Sequence, residues 1–326
     1  MGETPTAQGR VVDGVPGHGA RITVLGIFVA DLAFRTRRLS AWGETTIAAG
    51  YRLSPGGKGS NQAVAAARLG AAVSFVAKIG RDPFGEMARA TWAADGIDAR
   101  YCCEASDEST GAAAIAVHPV TGENAIVAAP SASSLLTPEE VDRAAGLIAA
   151  SAVFVTQLEL PLPVVEHALA LARDRGVVTI LNAAPARRLP RRVYALCDYV
   201  TPNEVEAAAL AGRPVRGPAD AARAAEILLA RGARNVVITL GKRGAVVRNA
   251  ALTQHLPALH AGPVVETTGA GDAFTGALAV AVAEGADLLE AARFAGAAAA
   301  ISVTRHGTAR SMPSRPEVEA LLASRR

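Results

Sequence analysis

From Arg21 onward, short β-branched apolar runs alternate with Ala-rich stretches that close on glycine, the pattern of a parallel sheet interleaved with helices. The runs Ile22 to Phe28, Val73 to Ile79, Ala152 to Val155, Val177 to Leu181, Asp198 to Thr201 and Val236 to Leu240 are short and continuously apolar. That predicts strands covered on both faces. Between them, helical spacing predicts helices over about 61–69, 84–94, 138–150, 163–175, 204–211 and 219–230, with a further apolar helix over 275–283. Gly70, Gly96, Gly176, Gly212 and Gly232 stand where a left-handed C-cap is wanted. Two stretches, about 31–55 and 110–130, lack a helical period and alternate instead, as in Ala112 to Val117 and Asn124 to Ala128. They predict antiparallel strands outside the main sheet, a lid or a subunit contact. The fold class is therefore α/β, strands of a mostly parallel sheet alternating with helices.

Composition narrows the function classes. The chain has 326 residues, of which 50% are hydrophobic and 19% charged, enough to bury a large core. Mean hydropathy is +0.24, but no apolar run reaches the ~18 to 20 residues that span a bilayer. The excess of 33 basic over 30 acidic residues is too small to imply a nucleic-acid partner. The arginine groups at 35, 37, 38 and at 187, 188, 191, 192 have no interleaved aromatics and are expected on solvated surface. Three cysteines, with Cys102 beside Cys103 and Cys197 distant, make neither a disulfide framework nor a metal knuckle, so reduced thiols in a cytoplasm are expected. The first 20 residues are rich in Gly and Pro and lack the basic start and apolar stretch of a signal peptide. They read as a flexible tail before one domain over 21–326.

Four motifs carry chemistry. Pro55-Gly56-Gly57-Lys58-Gly59-Ser60-Asn61-Gln62 opens a helix but is no P-loop, because Gly59 stands where Ser or Thr would hold a metal. Its glycines admit a ligand close to backbone N–H groups, with Lys58 and Asn61 as donors for a polyhydroxylated molecule; the plain alternative is an ordinary Gly-rich loop. Glu266-Thr267-Thr268-Gly269-Ala270-Gly271-Asp272 precedes an apolar helix, so successive N–H groups can converge on an anion at the positive end of that helix. Asp272 at such a place is either a base that takes a proton from an attacking hydroxyl or a simple first-turn acid. Thr201-Pro202-Asn203-Glu204-Val205-Glu206 lies at a strand end, where Asn203 and Glu206 could face a hydrated Mg²⁺ and phosphates or merely cap a helix. Thr239-Leu240-Gly241-Lys242-Arg243-Gly244 follows a strand and reads as a turn beside a nucleotide or as a plain hairpin. There is no HExxH, GxSxG or GxGxxG after the first strand, and the six histidines, His255 and His260 among them, read as structural or surface groups.

In this order the motifs resemble the ribokinase or PfkB family of ATP-dependent carbohydrate kinases, over about Ile22 to Arg325. Gly56 to Ala67 and Thr267 to Phe274 carry most of the likeness; Gln157-Leu158-Glu159, Leu181 to Ala186, Thr201 to Glu206 and Ala297 to Ile301 support it. The resemblance implies a ribokinase-like, doubly wound, mostly parallel sheet flanked by helices, with a small β-sheet lid that often pairs two subunits as a homodimer. It implies that Asp31, Gly57, Lys58, Asn61 and Glu159 hold sugar hydroxyls, that Asp272 is the catalytic base, and that Gly269, Ala270 and Gly271 form an anion hole. Asn203, Thr239, Gly241, Lys242 and Gly244 would face ATP, with Gly296 near the nucleoside, Gly271 also meeting the nucleotide, and Glu206 acting on Mg²⁺ through water. A monovalent-cation site, normally K⁺, would be built from Glu266, Thr268, Ser302, Arg305, Gly307 and Ser311. Two positions depart from the family pattern: Val29 stands among the sugar-contacting positions where Asn is usual, and Glu266 stands where Asp is usual. An unmet hydroxyl contact typically costs ~0.5 to 1.5 kcal/mol, so Val29 bears directly on sugar choice. The expected reaction is γ-phosphate transfer from ATP to a sugar hydroxyl, most simply O5 of D-ribose. Other pentoses, ketohexoses, sugar acids and nucleosides are the family's alternatives, and a sugar-binding regulator without turnover is the alternative from another class.

Overall fold

The alternation folds into interleaved strands and helices in a computed structural model that describes residues 20–324. The expected tail at 1–20 lies almost wholly outside the described residues. The chain enters through β1 (Arg21–Leu25), leaves for the lid strands β2 (Val29–Arg35) and β3 (Gly50–Gly56), and returns through α1 (Lys58–Arg68) to β4 (Ala72–Val76). A short strand β5 (Lys78–Gly80), α2 (Pro83–Ala94) and β6 (Cys103–Ala105) lead to the second lid pair, β7 (Thr110–Val117) and β8 (Asn124–Ser131). There follow α3 (Pro138–Asp142), α4 (Ala145–Ala149), β9 (Val153–Gln157), α5 (Leu162–Asp174), β10 (Val178–Asn182), α6 (Arg191–Ala195) and β11 (Tyr199–Val200). The rest is α7 (Glu204–Ala211), α8 (Pro218–Ala230), β12 (Asn235–Thr239), β13 (Ala245–Arg248), β14 (Thr253–Leu256), α9 (Ala270–Ala283), α10 (Leu288–Ser302) and α11 (Arg315–Ala323).

The main sheet has the order β14-β13-β12-β11-β10-β9-β1-β4, parallel from β4 to β12 and antiparallel at β13 and β14. The chain steps from β1 outward to β4 and later resumes on the other side at β9, so the order reverses between β1 and β9. Ligands of open α/β sheets bind outside the carboxyl ends of strands at such a reversal. Here those ends carry Gly26, Gln157 and Glu159.

The high alanine content has a packing reason. Residues 272–281 of α9 are all buried, as are 59–66 of α1, and the two helices share one core whose members include Ala63, Ala66, Ala273 and Ala277. A Cβ at Gly276 would lie 2.6 Å from the Gln62 carbonyl, so α9 approaches α1 to a distance only glycine permits. On the far side of α1, Trp92 packs between Phe28 and Phe75 with ring centroids 5.9 and 4.9 Å away, and its indole N–H donates to Ser60 Oγ at 3.0 Å. Such a buried aromatic set fixes where the first turn of α1 sits; truncating an aromatic of this kind typically costs ~3 to 5 kcal/mol.

The lid is a four-stranded sheet, β3-β2-β7-β8. Its strands fall on the two expected stretches, but β2 and β7 pair in parallel, so the lid is mixed rather than wholly antiparallel, and residues 36–49 form no strand. Other expectations shift for identifiable reasons. β1 stops at Leu25 instead of Phe28, because Gly26 passes so close to α1 that a Cβ on it would sit 2.6 Å from Gly59 Cα. The run at 73–79 divides after Val76, its last residues pairing with β6 in a separate sheet. The helix expected over 138–150 breaks at Arg143 and Ala144 into α3 and α4. The five C-terminal glycines all adopt positive φ as expected. Both arginine groups are exposed, and among the described residues no helix is long and apolar enough to cross a membrane.

Candidate active site

Two helix starts meet at the reversal point, and each begins on glycine. Gly57 has φ +90°, and a Cβ there would be 2.5 Å from the Ile27 carbonyl, so the first turn of α1 lies directly on the chain leaving β1. Gly269 has φ +84° and begins α9. Neither glycine can offer a side-chain cap. α1 is served from elsewhere: Glu159, just past β9, accepts the Lys58 N–H at 2.9 Å. At α9 the Ala270 N–H, one of the expected trio of anion-hole groups, meets the Thr267 carbonyl at 3.2 Å. Gly271 and Asp272 occupy the next two positions of that first turn, where N–H groups have no partner within the helix. A Cβ on Gly271 would meet nothing within 4 Å, so the space beside it is open.

Asp272 is buried at 6% exposure, and both its oxygens are held: Oδ2 accepts from Asn61 Nδ2 and Oδ1 from Gln62 Nε2, each at 3.0 Å. Gln62 is the hub of a buried polar chain. Its Nε2 also donates to Asn182 Oδ1 at 3.1 Å, and its Oε1 accepts from Gln157 Nε2 at 2.7 Å. Asn182 in turn donates to the Thr201 carbonyl at 2.7 Å. The carboxylate is therefore fixed in orientation through the ends of β9, β10 and β11. Sequence reasoning assigned no role to Gln62, Gln157 or Asn182, although all three stand inside motifs it singled out. Three amide side chains at strand ends and a helix start were the available signal, because such groups are buried only when partnered.

Around Asp272 the charges are unequal. Lys58 faces Asp272, Glu159 and Glu206, and Asp272 above all holds its ammonium on, against the effect of burial. Burial pushes Glu159 up to about 7, with Asp272 and Asp31 adding to it and Lys58 opposing. Asp31 is pushed up to about 6 by burial, then by Asp272 and Glu266. Asp31 is tucked against the glycine loop so closely that a Cβ on Gly56 would meet its Oδ2 at 2.2 Å. Asn61 Oδ1 is buried with no hydrogen-bond partner, an acceptor left over for a bound molecule. Val29 is 7% exposed, projects from the same face of β2 as Asp31 and packs into an apolar cluster opposite Gly111.

The remaining expected groups lie along the same edge of the sheet. Asn203 and Glu206 cap α7 for one another: Asn203 Oδ1 accepts the Glu206 N–H at 2.9 Å, and Glu206 Oε2 accepts the Asn203 N–H at 2.8 Å. The capping alternative is thus realised, and it leaves one oxygen of a buried carboxylate uncommitted. Burial raises Glu206, while the Asn203 N–H and Lys58 oppose the shift. Thr239 bridges to Asn203, and Gly241 to Gly244 make the turn of the antiparallel β12–β13 pair, the hairpin alternative. Lys242 is exposed on that turn, and Gly296 stands on α10 with nothing within 4 Å of where its Cβ would be. Glu266 accepts the Gly307 N–H at 3.0 Å, while the Ser302 and Ser311 hydroxyls donate to the Ala299 and Thr308 carbonyls at 2.9 and 2.8 Å. The Arg305 side chain pairs with Glu317, and Thr268 is exposed.

The model of the pfkB family of carbohydrate kinases matches residues 20–315. The chain belongs to that family. The pfkB kinase is 40% identical over 296 residues to a ribokinase of Haemophilus influenzae, covering 91% of this chain and 96% of the relative. It is 36% identical over 294 residues to a deoxyribokinase of Salmonella typhi, covering 90% and 95%. The Arabidopsis thaliana ribokinase complexed with ribose and ATP superposes with a TM-score of 0.86 at 28% identity, over 94% of this chain and 99% of that one.

Proposed function

We propose that this pfkB kinase transfers the γ-phosphate of ATP to the primary hydroxyl, O5, of D-ribose, giving ribose 5-phosphate and ADP. One observation carries the mechanism: a buried carboxylate, Asp272, held by Asn61 and Gln62 in the first turn of a helix that begins without a side-chain cap. A mere binder or regulator needs neither feature. In this reading Asp272 accepts the hydroxyl proton as the oxygen bonds to phosphorus. The Gly271 and Asp272 N–H groups, with Gly269 supplying the turn and the helix dipole adding positive potential, stabilise the charge on the moving phosphoryl group. Asp31, Lys58, Glu159 and the free Asn61 Oδ1 orient the sugar hydroxyls; positioning and charge neutralisation supply most of the rate.

The nucleotide is proposed to lie along Asn203, Thr239, the Gly241 to Gly244 turn with Lys242, and Gly296. The uncommitted Glu206 oxygen fits a Mg²⁺ held mainly by waters and phosphates, which supplies charge neutralisation when bound. Glu266 and the carbonyls about Thr268, Ser302, Arg305, Gly307 and Ser311 are oxygen donors of the kind K⁺ takes, and they belong in the proposal as its site. A homodimer through the lid is favoured by the exposed Tyr51, Leu53, Ile126 and Val127 on its strands, and light scattering checks it. A cytoplasmic location goes with the three free thiols.

Val29 favours a second substrate. An apolar side chain beside Asp31 offers no hydrogen bond to a sugar hydroxyl, which suits 2-deoxy-D-ribose, and a deoxyribokinase is among the relatives. ADP release with MgATP and K⁺ decides between them across D-ribose, 2-deoxyribose, arabinose, xylulose, fructose, 2-keto-3-deoxygluconate, adenosine and inosine. The expected kcat/KM maximum is at D-ribose. A maximum at 2-deoxyribose renames the substrate and leaves the mechanism, and no turnover with any of them overturns the kinase reading. Val29→Asn is expected to lower KM for D-ribose.

A further inference from the structure

One strand of the lid is fastened twice to the loops beneath α9. At its base, Thr308 Oγ1 donates to the Pro55 carbonyl at 3.0 Å, and Thr308 lies so close to the start of α9 that a Cβ on Gly269 would be 3.2 Å from its Cα. Three residues back on β3, an edge strand of the lid, the Arg52 guanidinium reaches Glu266 Oε2 at 3.4 Å across 214 positions of chain. The same oxygen accepts the Gly307 N–H and has His306 Nδ1 at 3.5 Å. Glu266 is thus the anionic point at which lid, anion-hole segment and the 302–311 loop meet.

Positive charge for that carboxylate has two sources. One is a cation from solution, which the oxygen donors around Glu266 suit. The other is Arg52, which arrives only when the lid strand lies against the loop. We propose that Arg52 is a positioning residue that competes with the monovalent cation for Glu266 and so couples docking of the lid to the order of the anion hole. With the lid docked, the guanidinium neutralises Glu266 and K⁺ is held weakly. With the lid lifted, the charge leaves and K⁺ takes its place. The longer reach of glutamate at this position lets one oxygen meet both the Gly307 N–H and the lid. The inference rests on the kinase reading only for its kinetic arm.

The test compares the full-length protein with Arg52→Gln in KCl and in tetramethylammonium chloride of equal ionic strength. Thermal unfolding is expected to show a small K⁺-specific rise in Tm for the parent and a several-fold larger one for R52Q, with Arg52→Lys returning toward the parent. In the sugar-kinase assay the half-saturating K⁺ concentration is expected to fall about tenfold in R52Q, and kcat without K⁺ to fall more than KM for the sugar rises. The same K⁺ response in parent and R52Q, including none in either, overturns the proposal. Should R52Q fail to fold, Arg52→Met keeps the aliphatic stem and repeats the unfolding comparison. Absence of ADP release with every sugar, together with the expected difference in Tm, would instead sink the kinase reading and leave the Arg52 coupling standing.

Discussion

Helices α2 and α10 begin in one way, helices α1 and α9 in another. α2 starts at Asp82, whose carboxylate accepts the Gly85 N–H at 2.8 Å, and α10 starts at Asp287, which accepts from Leu289 and Glu290 at 2.8 and 2.9 Å. Each is a local device worth ~0.5 to 2 kcal/mol. α1 and α9 start on glycines at positive φ that can offer no such bond. Helices α4, α5, α6 and α8 also start without a side-chain cap, so what sets α1 and α9 apart is an opening glycine at positive φ beside the Asp272 carboxylate. At α1 the Lys58 and Ser60 N–H groups are taken by Glu159 and the Ile27 carbonyl, whereas at α9 the Gly271 and Asp272 N–H groups have no partner within the helix. In the proposed reading the contrast sets helices closed by their own caps against α9, whose start is left open for a phosphoryl group.

The largest effect is expected from Asp272→Asn. The amide oxygen can still accept from Gln62, and the amide NH2 can donate to Asn61 once that side chain turns its unpartnered Oδ1 inward, so Tm and sugar affinity by calorimetry should stay near the parent. kcat should fall by roughly 10³, within the ~10² to 10⁴ typical of a general base. A variant that turns over at nearly the parental rate removes Asp272 from the chemistry and leaves it a first-turn acid.

A pair of substitutions then sets the two kinds of helix start against each other. Gly269→Ala strains a backbone at φ +84° and places a methyl 3.2 Å from Thr308 Cα, so the first-turn N–H groups shift from the phosphoryl position. kcat is expected to drop by about 10² or more, the scale of losing one preorganised donor, with sugar affinity retained. Asp287→Ala should do the opposite: a loss of about 1 kcal/mol in unfolding free energy, read from a denaturant curve, with kcat unchanged. If Asp287→Ala cut turnover as deeply as Gly269→Ala, the division between structural and functional starts would collapse.

The same contrast shows what a sequence discloses. Strand runs buried on both faces, glycine C-caps and the lid stretches were legible, because periodicity and punctuation are local. So were the two glycine-opened helices and Asp272. What was not legible depended on approach distances between distant segments. The early end of β1 follows from Gly26 lying on Gly59, and the parallel pairing of β2 with β7 is set by residues about 80 apart. Gln62, Gln157 and Asn182 stand in recognisable motifs, yet their joint hold on Asp272 exists only once three strand ends are side by side. The turn bond from Ala270 to Thr267 at the start of α9 was equally invisible, since it depends on the backbone path through the motif.

The subtlest expectation concerns two carboxylates that do the same job in different surroundings. Asp82 accepts first-turn N–H groups of α2; burial would raise it, but the Thr110 and Gly85 N–H bonds prevail and hold it below the ordinary range. Glu159 accepts the Lys58 N–H of α1, yet burial first, and Asp272 and Asp31 after it, carry it up to about 7, as Asp31 is carried to about 6. A raised carboxyl binds more protons folded than unfolded between its ordinary and its raised value. Its contribution to stability therefore falls as pH climbs through that window, here from about 4 to about 7, and the full penalty stands above it. Groups held low, such as Glu317 at about 2, act with the opposite sign and only on the acid side of the same window. The sugar-free protein should accordingly lose Tm between about pH 5 and pH 7.5, and Asp31→Asn and Glu159→Gln should each flatten that slope. Asp82→Asn should leave the slope in place and lower Tm throughout. Parallel pH profiles for the parent, D31N and E159Q would mean that the carboxylates around Lys58 ionise as freely as surface groups, and α1 would then be capped in the same manner as α2.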